Sequence, residues 1–537
     1  MRPAISSLAL VVLACAPRVA SSPLAGPATP TPAAVDSAVR AEVMRRLADA
    51  PAGTTAAVYE DRPVALLWVR DGAPLRVVAD VLAAAESLDA DGLRVLPDVN
   101  RVRVLLGGPS TPDRLVSLEL AMTELWLESA RGLTGGRVTP SRLDSLWAVT
   151  PPGLDGAAAL RDAAARERHV AALIGLRPAH PGYAALRDAL ARHRAIAAAG
   201  GWPRVPPGPE LRVGAAGERV AVLRGRLAAG GDLAVAWAAG ERFDAIVDSA
   251  VRRLQQRHGL APDGVVGATT LDVLNRPVDA VIRQLEMNLE RWRWLPRGLE
   301  PPYVLVNIPA FQLLLVDHDG VTLRRVVLGR PDWPTPLLAG AITHVILAPT
   351  WTVPPEIARQ EVIPAVRADS GYLSRLGIDV FADTGPLTRP LDPALVDWAA
   401  ATADSGPRVR LVQRSGPANP LGRVKFLFDN PLAIYLHDTP ATELFAGDRR
   451  ALSHGCVRVD GAMELAQQLL HDVPGWDASR LAEAAAGVTR SVRPAHPVPI
   501  HLVYFTAWVG GDGALQLRED VYGWDAKLAA ALAASWP

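Results

Sequence analysis

Near residue 302 the hydrophobic pattern of this chain changes period, and that change limits the folds open to it. From Val35 to Ala199 the apolar residues recur at helical spacing. Val77 and Leu82 sit in one such stretch, and Leu115, Leu118, Leu120, Met122, Leu125 and Leu127 in another. From Pro302 they come instead in short runs: Val304 to Ile308, Gln312 to Val316, Val321 to Leu328, Ala341 to Ala348, Val409 to Gln413, Val424 to Phe428 and Ile434 to His437. Asp317-His318-Asp319-Gly320 reads as a hairpin turn, and Pro499 to Trp508 is again strand-like. The expectation is an α+β multidomain chain; 537 residues allow two to four domains.

Breaks in the pattern set the divisions. Four prolines and a glycine between Pro203 and Pro209 mark a linker. They separate a helical part, 35–205, from a compact unit, 206–277, whose glycines sit at turns between amphipathic segments. A β-rich part then covers 278–480, interrupted at 354–401 by an insertion too long for a connector. The remainder, 481–537, is expected as a strand and helix segment packed on one of its neighbours.

The first 20 residues read as a secretory signal peptide. Arg2 precedes an apolar stretch, Ala4 to Ala14, that is too short to span a bilayer. Val12-Leu13-Ala14-Cys15 resembles a lipoprotein processing box, so two readings stand: Cys15 as a lipid anchor, or Cys15 discarded with a plain signal. Residues 21–34 form a Pro/Ala/Ser/Thr-rich tether under either. Either reading implies export.

Composition adds exclusions. The 56 basic and 56 acidic residues leave no net charge, which argues against a nucleic-acid partner. Two cysteines exclude a disulfide framework and any multi-cysteine metal site. Lysine occurs only at positions 425 and 527, which we read as coding bias without functional meaning.

The second cysteine lies in Ser453-His454-Gly455-Cys456-Val457-Arg458-Val459. A single thiol retained in an exported chain is either fully buried or chemically employed. Employment as a nucleophile needs an imidazole, and two are near: His437, at the end of an apolar strand, and His454, two residues from the sulfur. His437, His454 and Cys456 have the ligand types of a metal site but no fourth ligand, so no metal and no cofactor is expected.

This block resembles the bacterial L,D-transpeptidases. The resemblance runs through Gly422, Lys425-Phe426, Asn430-Pro431, Tyr435-Leu436-His437-Asp438-Thr439-Pro440 and Phe445 to the Ser-His-Gly-Cys segment. Trp351-Thr352-Val353-Pro354-Pro355 is similar to that family's entry into a capping insertion, and Arg518 to Gly523 to the end of its large periplasmic members. Residues 211–275 resemble a three-helix peptidoglycan-binding domain. The resemblance implies a β-rich catalytic domain with a helical capping insertion, a small peptidoglycan-binding domain and an N-terminal helical scaffold. It makes Cys456 the nucleophile and His437 the base, oriented by a main-chain carbonyl. The N–H groups of Gly455 and Cys456 are the oxyanion-hole candidates; Ser453, His454 and Arg458 shape the loop or bind a substrate carboxylate, and Tyr435 and Trp351 line the substrate groove.

By the same resemblance the reaction joins diaminopimelate-containing stem peptides into 3→3 cross-links with release of D-Ala, and carbapenems would inhibit it. A carboxypeptidase, a protein-attachment enzyme and a non-catalytic wall-binding scaffold are the alternatives. Two positions depart from the pattern: Ala348 precedes Pro349 where relatives often carry Asn, and Pro420 replaces their usual Ala.

Overall fold

The structure is a computed structural model that describes residues 30–49, 53–60, 65–93, 97–382, 389–402 and 409–534. The expected signal peptide, Cys15 and most of the tether lie outside the described residues. The end of the tether is corrected. A helix, Pro32–Asp49, already begins there, with proline in the first turn, where its missing N–H is not needed. Among the described residues no helix is long and apolar enough to cross a membrane.

The N-terminal part packs around one long helix, Pro112–Gly135. Leu115, Leu118, Met122 and Leu125 lie on its buried face with Trp126 and Leu133. Leu120 and Leu127 fall off the i, i+3, i+4 rows and are only half-buried. The Glu119 carboxylate is buried in this core. Glu119 accepts hydrogen bonds from the Tyr59 hydroxyl (2.9 Å) and from the main-chain N–H groups of Leu67 (2.6 Å) and Trp68 (3.0 Å).

The compact unit that follows has its own core, built from Val220, Leu223, Leu227, Val247, Val251 and Leu254. Its second helix, Ala245–Arg257, is capped by the Asp244 carboxylate on the N–H groups of Ile246 and Val247. Gln255 is buried and pins the Asp263-Gly264 turn from both ends of its amide.

A largely buried helix, Val278–Trp292, connects this unit to the β-rich part. It packs with helix Pro181–Ala198, with the hairpin of Ala507–Val509 and Leu515–Leu517, and with the outward side chains Tyr303 and Leu305. Three parts of the chain therefore share one core there.

The β-rich part closes on itself. In order around the ring, the strands are Val424–Phe428, Leu436–His437, Val457–Val459, Gly320–Gly329, Gln312–Asp317, Tyr303–Asn307, Val498–Val503 and Leu337–Leu347. The last pairs back onto the first, Ile346 opposite Lys425. Closure leaves few unpaired edges, and alternation fills the interior with Val304, Val306, Leu313, Val326, Ile342, Phe426 and Leu502. Helix Ala462–Leu469 follows the last inner turn and buries Leu465, Ala466 and Leu469 against that core. Trp147–Ala148, from the N-terminal part, adds a parallel strand beside Leu337 and Leu338.

Two expectations change. Residues 481–537 do not merely pack on a neighbour: Val498–Val503 is a strand of the ring itself, parallel to Tyr303–Asn307. Val409–Gln413 leaves the main sheet. It joins Ile378–Ala382 and Trp351–Thr352 in a small three-stranded sheet that frames the 354–401 insertion. The insertion has its own core of Ile357, Val362, Val366, Leu373, Val380 and Leu411.

Burial holds the Glu119 carboxyl protonated to about pH 7, against an ordinary value of 4.5, and the three donors only partly oppose this. The folded chain therefore binds a proton that the unfolded chain has lost between those values. Its contribution is full below pH 4.5 and is lost as pH rises through 7, by about 3 kcal/mol. Glu119→Gln should flatten this fall in chemical-denaturation profiles taken across that range.

Candidate active site

Strand register assembles the site. Lys425 pairs with His437, and His437 pairs with Arg458. Side chains alternate along strands, so these three lie on one face, and two residues back Tyr435 and Cys456 join them. The residues between, Val424, Phe426, Leu436, Val457 and Val459, are fully buried on the other face.

Cys456 is half-buried just before the strand Val457–Val459. Burial pushes its thiol pKa up. The Tyr435 N–H, the charges of Lys425 and Arg458, and the Tyr435 hydroxyl pull it back. The Tyr435 hydroxyl also takes a hydrogen bond from Trp351, at the root of the insertion, and its own pKa is pushed up, first by burial and then by the sulfur. The Lys425 Nζ lies over the Tyr435 ring, 3.6 Å from its centre.

His437 is buried and donates from Nδ1 to the Asp438 carbonyl at 2.5 Å. That bond leaves Nε2 as the acceptor, the state a general base needs. Burial lowers the imidazole pKa to about 3; the Asp438 carbonyl opposes this, and the charges of Arg458 and Lys425 add to it. His437 is therefore neutral throughout the physiological range. The Asp438 carboxylate points elsewhere, accepting the Arg423 main-chain N–H at 2.9 Å. It is not a triad member.

The loop before Cys456 is tied down internally. The Ser453 hydroxyl is buried, donates to the Cys456 carbonyl (2.7 Å) and accepts the Gly455 N–H (3.1 Å). This corrects one expectation: the Gly455 N–H serves the loop, so it is not free to hold an oxyanion. The Cys456 N–H remains the main-chain candidate. Gly455 has φ 105°, a conformation that side chains disfavour. Beneath it Thr335 donates to the Gly455 carbonyl at 2.8 Å, and Tyr522, from near the chain's end, donates to the Gly329 carbonyl at 2.6 Å and accepts the Thr335 N–H.

His454 turns away from the sulfur. Its Nε2 lies 2.7 Å from Glu361 of the insertion and 3.1 Å from Arg330, and its ring stands edge-on to Trp333. It therefore ties the insertion to the loop, and His437 is left as the imidazole of the site. Glu361 sits in a widened turn, Ala358–Val362, just before Pro364, which has no N–H to close a regular turn. Among the described residues no group of His, Cys, Asp or Glu could hold a metal ion.

The structure thus sets Cys456, His437, Tyr435 and Arg458 on one face of the sheet, with Trp351 bonded to the Tyr435 hydroxyl and Ser453 and Gly455 shaping the loop. Sequence reasoning gave Lys425 no role, although it stands in the family pattern, and passed over Glu361 and Thr335. For Lys425 a signal existed, since one of only two lysines falls within the site.

Comparison with known proteins divides the chain similarly. Residues 301–496 match the family described as L,D-transpeptidase catalytic domain, 53–190 match one described as Scaffold domain, and 216–274 match one described as "Putative peptidoglycan binding domain". A Haemophilus influenzae protein named "Putative L,D-transpeptidase" is 32% identical over 250 residues, which is 46% of this chain. The match spans about half (49%) of that relative's length. A solved L,D-transpeptidase from Stackebrandtia nassauensis aligns over 56% of this chain and 96% of its own at 14% identity, with a TM-score of 0.21. A fused Zn-dependent amidase/peptidase with a peptidoglycan-binding domain from Clostridium acetobutylicum aligns over 55% and 100% at 13% identity, with a TM-score of 0.15.

Ser453→Ala would leave the Gly455 N–H and one bond of the Cys456 carbonyl unmade in a buried loop, at a cost of about 1–3 kcal/mol. A lowered melting temperature together with altered alkylation of Cys456 is the expected result. An unchanged melt would remove the loop-tying role.

Proposed function

We propose that this chain, which carries an L,D-transpeptidase catalytic domain beside a scaffold domain and a peptidoglycan-binding domain, is an exported enzyme that forms 3→3 cross-links in peptidoglycan. The observation that supports it most is the shared face of Cys456 and His437, with cations on both sides and the imidazole held as a proton acceptor. That arrangement suits acyl transfer through a thioester.

The donor is a tetrapeptide stem ending in diaminopimelate and D-Ala. As Cys456 Sγ bonds to the diaminopimelate carbonyl carbon, its proton passes to His437 Nε2. The carbonyl oxygen takes the electron pair and is stabilised by the Cys456 N–H. When the intermediate collapses, the bond to D-Ala breaks and His437 returns the proton to the departing amine. An amine of a second stem then attacks the thioester, His437 takes its proton, and the thiol is regenerated. Arg458, fixed opposite His437, suits the stem carboxylate, since guanidinium binds that group in two places. Tyr435 and Trp351 wall the approach.

Water would divert the thioester to a carboxypeptidase product. The insertion held at His454 by Glu361 lies where it can exclude water, and its separate core lets it move as a body. The peptidoglycan-binding domain would hold the chain at its substrate, and a carbapenem would acylate the same sulfur.

Cys456→Ala should abolish 3→3 linked muropeptides when the pure protein is incubated with tetrapeptide-rich wall. Undiminished cross-linking by that variant would refute the assignment. Glu361→Ala should raise the ratio of hydrolysed to cross-linked product in the same digest; an unchanged ratio would exclude the closure role.

A further inference from the structure

The face that carries Cys456 has an imbalance of charge. Lys425 and Arg458 both project onto it, and among the described residues neither is paired with a carboxylate. The Arg458 Nε is buried with no hydrogen-bond partner. The Asp438 carboxylate is turned to Arg423, and Glu361 is turned to His454. A half-buried ammonium with no counter-ion is costly, and contact with an aromatic face recovers only about 0.5–2 kcal/mol of that cost. Such an arrangement persists where an anion is to be met.

Two anions arise in this reaction: the sulfur as it loses its proton, and the stem carboxylate. The geometry separates them. Tyr435 touches both the sulfur, through its hydroxyl, and the ammonium, through its ring face, so it holds Lys425 beside the thiol. Arg458 stands in the same row on the other side of His437, and its charge acts on the sulfur less than that of Lys425. The groups acting on the sulfur are therefore Tyr435, Lys425 and Arg458, with His437 on the same face of the sheet.

We propose that Lys425 is the positioning cation of the nucleophile: its ammonium, seated on Tyr435, stabilises negative charge on Cys456 Sγ as the proton leaves for His437. The more usual arrangement has an imidazolium beside the thiolate. Here His437 is enclosed, sits between two cations and starts neutral. It moves the proton, while the fixed positive charge belongs to Lys425. Burial depresses the pKa of Lys425 and of Arg458, and the sulfur opposes this in both. The inference rests on Cys456 being the nucleophile.

The test is the pH dependence of Cys456 alkylation by iodoacetamide, an uncharged probe, in the full chain carrying Cys15→Ser. Lys425→Met should move the midpoint to higher pH and slow alkylation at pH 7 several-fold, and Lys425→Arg should restore much of the wild-type profile. His437→Gln should leave the midpoint near its wild-type position while abolishing cross-linking. A midpoint unmoved by Lys425→Met, in a protein whose melt is unchanged, overturns the proposal, as does a rise in midpoint with His437→Gln alone. Muropeptide analysis is read separately. A shifted midpoint in a chain that forms no cross-links leaves the Lys425 role standing and removes the proposed reaction. Cross-linking with an unshifted midpoint does the reverse.

Discussion

The site depends on one row of strand pairing, in which Lys425, His437 and Arg458 stand side by side across three strands. Side chains alternate, so a slip of one residue would exchange these groups for Phe426, Leu436 and Val457. The slip is resisted because those apolar residues fill a closed interior and have nowhere else to go. Packing in the ring thus enforces the placement of polar groups outside it. The chemistry is held by the hydrophobic effect acting on the opposite face of the same strands.

The register fixes one side of the sulfur, and parts distant in sequence fix the other. Ser453 and Gly455 shape the loop, Thr335 supports it from below, and Tyr522 supports Thr335 from almost two hundred positions later. The insertion reaches the same loop through Glu361 and His454. A rigid base and a movable cover therefore meet at residues 453–456. His437 and Lys425 are set in the ring.

Much of this was legible in the sequence, for physical reasons that can be named. The Ser-His-Gly-Cys segment and His437 stand in a local pattern, and local patterns survive folding. The buried face of Pro112–Gly135 follows from helical spacing, and the start of Ala462–Leu469 from the glycine before it. Other features were not legible. Alternation in Val409–Gln413 marks a strand but does not say which sheet it enters. Val498–Val503 closes the ring by pairing with residues nearly two hundred positions earlier, which no local signal reports. The loss of the Gly455 N–H to Ser453 is a matter of side-chain rotation. Lys425 was visible as a rarity, but its meaning depended on its neighbours across the sheet.

The strand that Trp147–Ala148 lends to the ring sets a limit on how the molecule can be divided. Leu337 and Leu338 have this borrowed strand on one side, and Leu338 has Leu502 on the other. A fragment cut to residues 301–496 would lose both, since one neighbour lies before the cut and the other after it. Its longest strand would then display bare amide and carbonyl groups between apolar side chains, the pattern that recruits strands from other molecules. Such a fragment would be expected to self-associate, and its catalytic competence would be judged on an opened barrel. The catalytic unit is contiguous in family likeness but not in hydrogen bonding, and the segments on either side of it are part of its wall.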